Sequence, residues 1–333
     1  MSIQAETKSA ELELRVDNYL PRIGKKEIIR QILDGLCSEQ KFISSKFFYD
    51  AAGSKLFEEI TRLPEYYLTR TEKGLIKEAA CLINRDLYDT DIVEIGSGDC
   101  SKISIFLEMI PEEVRSSIRY IPIDMSSETI VESAEILLHK FPDLTIHGVI
   151  ADFITQLNLI PKGSSKRLFC FFGSTIGNFS RQQAARFMAD VSAIMQPGEG
   201  LLLGLDRVKN KQVLEEAYND SRAITAAFNR NILNVVNNIA GTDFYPEAFD
   251  HIAFYNEMHD RIEMHLRANK DMIISCPHLT NVIVFREGET IHTENSYKFT
   301  ETHIEDICTT AGLEIQNVLT DQNKWFYLVH FSK

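Results

Sequence analysis

The sequence predicts an α/β protein built on a mainly parallel sheet covered by helices, with a second, smaller α+β lobe. Strand-like and helical segments alternate from about residue 70 to 206, the alternation breaks over 207–298, and it resumes from 299. The 333 residues are 44% hydrophobic, which suffices for a large domain with a second lobe. We therefore assign 70–206 and 299–333 to the main domain, and 1–69 and 207–298 to the second lobe.

Five strand–helix units are expected in the first part of the main domain, because short apolar runs recur between helical ones. Ser126 or Ser127 is the expected N-cap of the helix after the second strand. At the C-terminus, 313–321 and 324–333 are strands separated by a short polar turn, so they form a hairpin. The predicted sheet thus has seven strands, with the last antiparallel. The five earlier strand segments are 91–98, 119–126, 144–153, 167–175 and 198–206.

The second lobe has a different pattern. Residues 211–239 form a helical run, and strand-like segments follow it. In 261–268 (RIEMHLRA), apolar side chains alternate with charged or polar ones, which indicates a strand with one buried face.

Composition and charge restrict the class of partner. The net charge is −13 and no Lys/Arg-rich run occurs, so a small-molecule partner is favoured over nucleic acid. Six cysteines are scattered without a CxxC pair, as in reduced intracellular proteins. The N-terminus lacks the apolar core of a secretory signal, and no segment approaches 18 uninterrupted apolar residues. Nine histidines show no HExxH or other ligand spacing. We expect a cytoplasmic protein with no membrane segment and no metal.

A glycine turn follows the first strand of the alternating series. Gly96 and Gly98 lie where that strand ends, and Ser101 occupies the third glycine position of the dinucleotide-binding pattern. Asp124 and Asp152 follow the ends of the next two strands. An acid at the first of these positions suits ribose hydroxyls, and one at the second suits the adenine amino group. The combination favours a class I, Rossmann-like, S-adenosylmethionine-dependent methyltransferase over a dehydrogenase.

Structural roles for the same residues remain open at this point. Asp124 could cap the helix that follows it. Tyr66 and Tyr67 could be packing residues beneath a loop. The segment 170–180 (CFFGSTIGNFS) changes from an apolar strand to small and polar residues, which leaves space and hydrogen-bonding groups beside the strand's tip.

Several segments, in order from about residue 40 to the C-terminus, carry a more specific resemblance. The chain resembles the histidine Nα-methyltransferases of ergothioneine biosynthesis. The resemblance implies S-adenosylmethionine-dependent trimethylation of the α-amino group of L-histidine to hercynine, with a second lobe that closes over the amino acid. The matching segments are 47–72, 93–98 (VEIGSG), 171–178 (FFGSTIGN), 217–233, 261–268 and 293–299 (TENSYKF).

The resemblance also implies roles for individual residues. Tyr49 and Lys102 would hold the carboxylate end of the methyl donor, and Gly96 would allow close approach of the backbone. Asp124 would contact the ribose, and Asp152 and Phe153 would contact the adenine. The α-amine and carboxylate of the amino acid would contact the catalytic pair Tyr66 and Asn178, and also Tyr218. Its imidazole would be held by Glu294 and Ser296, inside a wall formed by Phe57, Gly173, Thr175 and Met264.

Other functions remain as alternatives to this one. A methyltransferase of the same fold could act on another amino acid or small amine. A nicotinamide-dependent oxidoreductase would need a more phosphate-friendly turn than Gly96–Ser101 provides. A non-catalytic binding protein would be expected to have lost Tyr66, Asn178 or Glu294. We expect a monomeric enzyme whose substrates are L-histidine and its mono- and dimethyl forms.

Overall fold

The computed structural model describes residues 14–21, 24–163, 165–279 and 282–333. The strands are β1 (Leu14–Asn18), β2 (Thr90–Ile95), β3 (Arg119–Asp124), β4 (Thr145–Ile150), β5 (Lys166–Phe171), β6 (Gly200–Asp206), β7 (Phe249–Asn256), β8 (Arg261–Ala268), β9 (Met272–Ile274), β10 (Ile283–Phe285), β11 (Thr290–Tyr297), β12 (Glu314–Thr320) and β13 (Phe326–Ser332). The helices are α1 (Lys25–Leu36), α2 (Ala51–Ile60), α3 (Tyr67–Ile83), α4 (Ser101–Glu108), α5 (Glu112–Arg115), α6 (Ser127–Lys140), α7 (Arg181–Ile194), α8 (Lys211–Tyr218), α9 (Ile224–Ala240) and α10 (Glu301–Ala311).

The main sheet has eight strands in the order β1-β4-β3-β2-β5-β6-β13-β12. Strands β1 to β6 are mutually parallel, and β13 runs antiparallel to both of its neighbours. The chain moves outward from β2 to β4 on one side and then returns to β5 on the other. The point between β2 and β5 is therefore the switch in strand order, beside which open α/β sheets bind ligands.

Helices cover both faces of this sheet, because its central strands are apolar on both sides. One face packs under α3, α4 and α6, through side chains such as Ile76 and Phe106. The other packs under α7 and α10, through side chains such as Met188 and Ile304. The prediction of a doubly covered, Rossmann-like sheet that ends in an antiparallel strand is confirmed.

One strand of the sheet was not predicted. Strand β1 pairs in parallel with β4, with Val16 opposite Gly148, so the sheet has eight strands and not seven. Its sequence, LRVDN, contains only two apolar residues, which is too weak a pattern to recognise for a short edge strand. It lies within 1–69, the segment assigned to the second lobe, although it pairs in the main sheet. The remaining lobe boundaries stay a prediction.

The second lobe contains an antiparallel sheet of order β11-β8-β7 and the small ribbon β9-β10. Helices α1, α2, α8 and α9 pack with the apolar face of the larger sheet in one core, which includes Phe228, Ile232 and Leu266. The predicted strand 261–268 is β8. Its polar face is also buried at Glu263 and His265, because these side chains bond to each other and to neighbouring polar groups.

The predicted helical run 211–239 is broken in two. The carboxylate of Asp220 accepts hydrogen bonds from the backbone N–H groups of Ile224 (2.9 Å) and Thr225 (2.7 Å), and so starts α9 anew. The break leaves Tyr218 as the last residue of α8.

Candidate active site

The glycine turn after β2 has the backbone that the sequence required. Gly96 and Gly98 adopt positive φ angles of 65° and 51°, which favour glycine. A Cβ on Gly96 would also approach the ring of Phe153 to 3.3 Å. The N–H of Gly96 donates to the carbonyl of Ile123 at 2.8 Å, which holds the turn against β3. The turn therefore presents open backbone beside an aromatic ring.

Asp124 ends β3 directly beside this turn. Its carboxylate accepts from the N–H of Gly98 (3.0 Å) and from that of Ser126 (2.9 Å). Ser126 is the N-cap of α6 and accepts from the N–H of Thr129, as predicted. Asp124 thus fixes both the turn and the entry to the helix. Each carboxylate oxygen has further lone pairs for ligand hydroxyls.

Asp152 and Phe153 lie in the turn after β4, two to three residues beyond the end of the strand. Asp152 accepts from the N–H of Ile154 (2.9 Å) and the hydroxyl of Thr155 (3.0 Å). The Phe153 ring packs edge-on against Phe171, with centroids 5.9 Å apart. The structure therefore brings Asp152 and Phe153 to the sheet edge that also contains Gly96.

Lys102, at the start of α4, is paired with a buried acid that the sequence analysis missed. Its ammonium lies 2.9 Å from the carboxylate of Glu72, whose other oxygen accepts from the N–H of Gly173 at 2.6 Å. Glu72 is on α3, and its place in an amphipathic helix gives no signal of burial. The cation next to the strand tip is therefore anchored by Glu72.

Tyr49 lies near residues predicted to bind the methyl donor and near residues predicted to bind the amino acid. It follows the short 3₁₀ helix Ser45–Phe48, and its ring contacts that of Phe57 edge-on at 5.8 Å. Tyr49 is 49% exposed, and partial shielding of its hydroxyl from water, followed by the charges of Glu294, Tyr218 and Asp124, raises its pKa. Its hydroxyl is thus within electrostatic reach of both Asp124 and Glu294.

Three aromatic rings lie together among the residues predicted to bind the amino acid, those of Phe57, Tyr66 and Tyr218. Tyr66 precedes α3, and its ring lies 6.4 Å from that of Phe57 and 6.1 Å from that of Tyr218. Burial raises the pKa of Tyr66 well above its ordinary value. Its hydroxyl therefore stays protonated near neutral pH. Tyr67 has a separate role, because its hydroxyl donates to the buried carboxylate of Asp206 at 2.8 Å.

The tip of β5 is a strained turn. Gly173 has a φ of 83°, and the next residue, Ser174, has a left-handed φ of 53° that is uncommon for a residue with a Cβ. The Ser174 hydroxyl accepts from the N–H of Asp206 at 2.8 Å, which holds this geometry. A Cβ on Gly173 would lie 3.1 Å from the Thr175 hydroxyl and 2.9 Å from the Lys102 ammonium. The glycine therefore leaves space at the strand tip.

Strand β11 carries Glu294 and Ser296, the residues predicted to hold the imidazole. The amide of Asn178, which ends the 3₁₀ helix Thr175–Asn178, donates to the carboxylate of Glu294 at 3.4 Å. Glu294 lies opposite the buried Met264 in the β8–β11 pairing, just after a bulge. Burial raises the pKa of Glu294 to about 7, and the charge of Lys298 opposes that shift.

A buried ionic cluster that the sequence did not predict lies behind Glu294 and Ser296. Lys298 and Asp206 are both fully buried, with 2.8 Å between ammonium and carboxylate. The second oxygen of Asp206 accepts from the ammonium of Lys209 at 2.5 Å. The sequence contains two signals for this cluster. Asp206 is an acid at the end of an apolar strand, and Lys298 follows Glu294 and Ser296 at two-residue intervals. Charged side chains are usually assigned to the surface, which hides such pairs.

A separate polar cluster lies on the opposite face of β8 and β11. One ligand-capable atom from each of Glu263, His265 and His292 lies within 4.8 Å of the other two. The Glu263 carboxylate already accepts from the guanidinium of Arg261, and its pKa is lowered to about 2 by hydrogen bonds from Arg261 and neighbours, against the effect of burial. The absence of a functional metal therefore stays a prediction.

The geometry defines a class of protein. A Rossmann-like sheet places the glycine turn at the switch point and two acids after the neighbouring strands β3 and β4, and a second lobe faces them with aromatic and polar side chains. This is the arrangement of a class I methyltransferase. Among the described residues, no helix is long and apolar enough to cross a membrane.

Comparison with known proteins identifies the family. The family described as "histidine-specific methyltransferase, SAM-dependent" matches residues 28–333, so the chain belongs to this family. The histidine N-alpha-methyltransferases of Mycolicibacterium smegmatis and Mycobacterium tuberculosis are 37% and 36% identical to it, each over 93% of this chain and 96% and 97% of their own lengths. Ergothioneine biosynthesis protein 1 of Neurospora crassa is 28% identical over 83% of this chain and 32% of its own length. The resemblance inferred from the sequence is confirmed.

Proposed function

We propose that the chain transfers methyl groups from S-adenosylmethionine to the α-amino group of L-histidine, three times in succession, and forms hercynine as the first step of ergothioneine biosynthesis. The observation that supports this most directly is the contact between Asn178 and Glu294. This contact joins the turn after β5, beside which the methyl donor would bind, to β11, which carries Glu294 and Ser296. One amino acid can therefore place its amine near the donor while its ring meets β11.

The donor would bind along the C-terminal edge of the sheet. Asp124 would accept from the ribose hydroxyls, and its existing bond to Gly98 keeps it oriented for this. Asp152 and Phe153 would contact the adenine, with Gly96 allowing close backbone approach. The Lys102 ammonium, with the hydroxyl of Tyr49, would hold the donor's carboxylate.

The reaction needs an unprotonated amine held in line with the methyl group. S-adenosylmethionine supplies a sulfonium methyl whose leaving group is a neutral thioether. As the new N–C bond forms, the S–C bond breaks. After the first and second transfers the methylated amine loses a proton to solvent, whereas the third transfer gives a quaternary ammonium that has no N–H proton. Asn178 and Tyr66 would position the amine, and Tyr66 stays protonated because burial raises its pKa. Such positioning can supply about 7–11 kcal/mol of the barrier reduction.

The substrate side chain and the growing amine need space as well as partners. Gly173 and Thr175 would border the nitrogen, which gains three methyl groups. Phe57 and Met264 would border the ring, and Tyr218, which donates its proton to Ser296, would face the α-amine with its remaining lone pair. Glu294 would accept an imidazole N–H that phenylalanine or leucine lacks, which disfavours those analogues.

One incubation tests this function. The purified chain with S-adenosylmethionine and each of the twenty amino acids, analysed by mass, should give mono-, di- and trimethylated histidine. Methylation of another amino acid with histidine left unchanged would favour the alternative, an enzyme of this fold with a different substrate. Inclusion of EDTA should not change the rate.

Further expectations from the sequence belong to the same proposal. We propose a monomer in the cytoplasm that binds neither nucleic acid nor membrane. Light scattering of the purified chain at micromolar concentration should give a mass near 38.0 kDa.

A further inference from the structure

The buried ammonium of Lys298 lies directly behind the residues predicted to hold the imidazole. Lys298 follows Glu294 and Ser296 at two-residue intervals, so the three side chains project from the same side of extended chain. Its ammonium lies 2.8 Å from the Asp206 carboxylate, 2.8 Å from the Ser296 hydroxyl and 3.1 Å from the Tyr218 hydroxyl. An ammonium has three N–H donors and no acceptor, so these partners use all of its hydrogen-bonding capacity.

These contacts fix the direction of the neighbouring hydrogen bonds. The Tyr218 hydroxyl accepts from Lys298 and donates its own proton to the Ser296 hydroxyl at 2.8 Å. Ser296 therefore accepts from both Lys298 and Tyr218, and both of its lone pairs are used. Only its own O–H remains for a further partner. Toward a ligand, Ser296 acts as a donor.

Glu294 supplies the opposite polarity. An ionised carboxylate only accepts hydrogen bonds. A neutral imidazole has one N–H and one ring nitrogen with a lone pair, so it matches an acceptor at Glu294 and a donor at Ser296. A phenyl ring or an alkyl chain matches neither.

We propose that Lys298 is the positioning residue that gives this pair its polarity, by making Ser296 a donor and by keeping a positive charge beside the acceptor Glu294. On this basis the site accepts the neutral imidazole in one tautomer. The inference rests on the proposed function, since it assumes that histidine is the amino acid bound.

The charges around Glu294 support this assignment. The groups that act on it are the Lys298 ammonium, the Asn178 amide and the hydroxyls of Tyr49, Tyr66 and Tyr218. Among these, Lys298 is the cation. Burial raises the pKa of Glu294 to about 7, and Lys298 opposes this shift. Without Lys298, Glu294 would take up a proton at higher pH and lose its function as an acceptor.

The first test is Lys298→Met, which keeps an unbranched side chain one atom shorter than that of lysine but removes its charge and donors. We expect kcat/KM for histidine to fall at least 30-fold, mainly through KM, and histidine's preference over phenylalanine to shrink. The acid limb of the kcat/KM profile should move up by at least half a pH unit. Affinity for S-adenosylhomocysteine, measured calorimetrically, should stay within about twofold. An acid limb and KM equal to those of the parent would overturn the inference.

A further variant keeps the test decisive. Lys298→Met leaves Asp206 paired with Lys209 and Tyr67; if it does not fold, Asp206→Asn and Lys209→Met combined with Lys298→Met remove the whole buried ionic cluster. The kinetic changes should be the same in this triple variant. A similar loss of donor affinity and histidine turnover, with no movement of the acid limb, would show a purely structural role.

A double-mutant cycle identifies the route of the effect. Ser296→Ala should weaken histidine binding strongly in the parent but little in the Lys298→Met background. Fully additive losses would mean that Lys298 does not act through Ser296. Failure of the proposed function gives a different result, because the parent enzyme would then not methylate histidine at all.

Discussion

The amide of Asn178 lies 3.4 Å from the carboxylate of Glu294, although 116 positions separate the two residues in the sequence. Asn178 belongs to the turn after β5 of the main sheet, and Glu294 belongs to β11 of the second lobe. The contact therefore joins the turn at the carboxyl end of β5 to β11 of the second lobe.

Donor binding should depend on Asp124. Asp124→Ala removes charged acceptors for two hydroxyls and also releases the N–H of Gly98, so donor affinity should fall by about 2–4 kcal/mol. Calorimetric titration with S-adenosylhomocysteine measures this. Asp99→Ala, at an exposed acid of the same turn, is the matched control and should bind normally. Equal affinities for both variants would remove Asp124 from the donor site.

Selectivity should depend on Glu294. Glu294→Ala should lose about 2–4 kcal/mol of transition-state binding for histidine, or about 30- to 1,000-fold in kcat/KM. The loss should be much smaller for an amino acid without an N–H in its ring. Steady-state kinetics on histidine and phenylalanine measure both losses, and Glu314→Ala, on exposed β12, serves as control. Equal losses on both substrates would show that Glu294 acts through folding.

The same acid should reduce the stability of the ligand-free protein at high pH. Burial raises the pKa of Glu294 to about 7, above its unfolded value near 4.5, so the folded state binds more protons between these values. The contribution of this raised pKa to the free energy of unfolding is therefore fully present below pH 4.5 and is lost as the pH rises through 7. Glu294→Gln should gain about 1–3 kcal/mol over the parent at pH 8.5 and little at pH 5. Thermal unfolding at both pH values measures this; a gain independent of pH would contradict it.

The pH–rate profile should follow the substrate amine. The matched site residues include no His or Cys, and the raised pKa of Tyr66 makes it unsuitable as a base near neutrality. Histidine must therefore bind with its amine unprotonated, and above the acid limb set by Glu294, whose pKa is about 7, kcat/KM should climb about tenfold per pH unit until that amine has titrated. The upper inflection should shift when dimethylhistidine replaces histidine. An inflection that is the same for histidine and dimethylhistidine but shifts in the Tyr66→Phe variant would show that a protein group acts as the base.

Much of the main sheet was predictable from the sequence, because its central strands are continuous apolar runs that end in glycine or an acid. The edge strand β1 was not, since LRVDN has no such run. The break between α8 and α9 was also missed. It depends on the Asp220 side chain capping α9, a local bond that competes with continued helix.

The site was predictable to a different extent. Strand-end positions alone indicated Asp124 and Asp152, whereas the roles of Glu294 and Ser296 came from the resemblance. The pairing of Lys298 with Asp206 was not predictable, because it joins the end of β6 to the residue after β11. Sequence patterns assign each of these charges to solvent, and only the assembled fold shows that they neutralise each other.

Strand β1 has a consequence for biosynthesis and solubility. It is among the first described residues to leave the ribosome, yet its partner β4 begins at Thr145 and is synthesised much later. Until then β1 has no partner, and in any truncation that removes residues 14–18 it is β4 that presents an unpaired parallel edge. Such an edge can pair with another chain, so shortened versions should retain the catalytic groups but aggregate more readily.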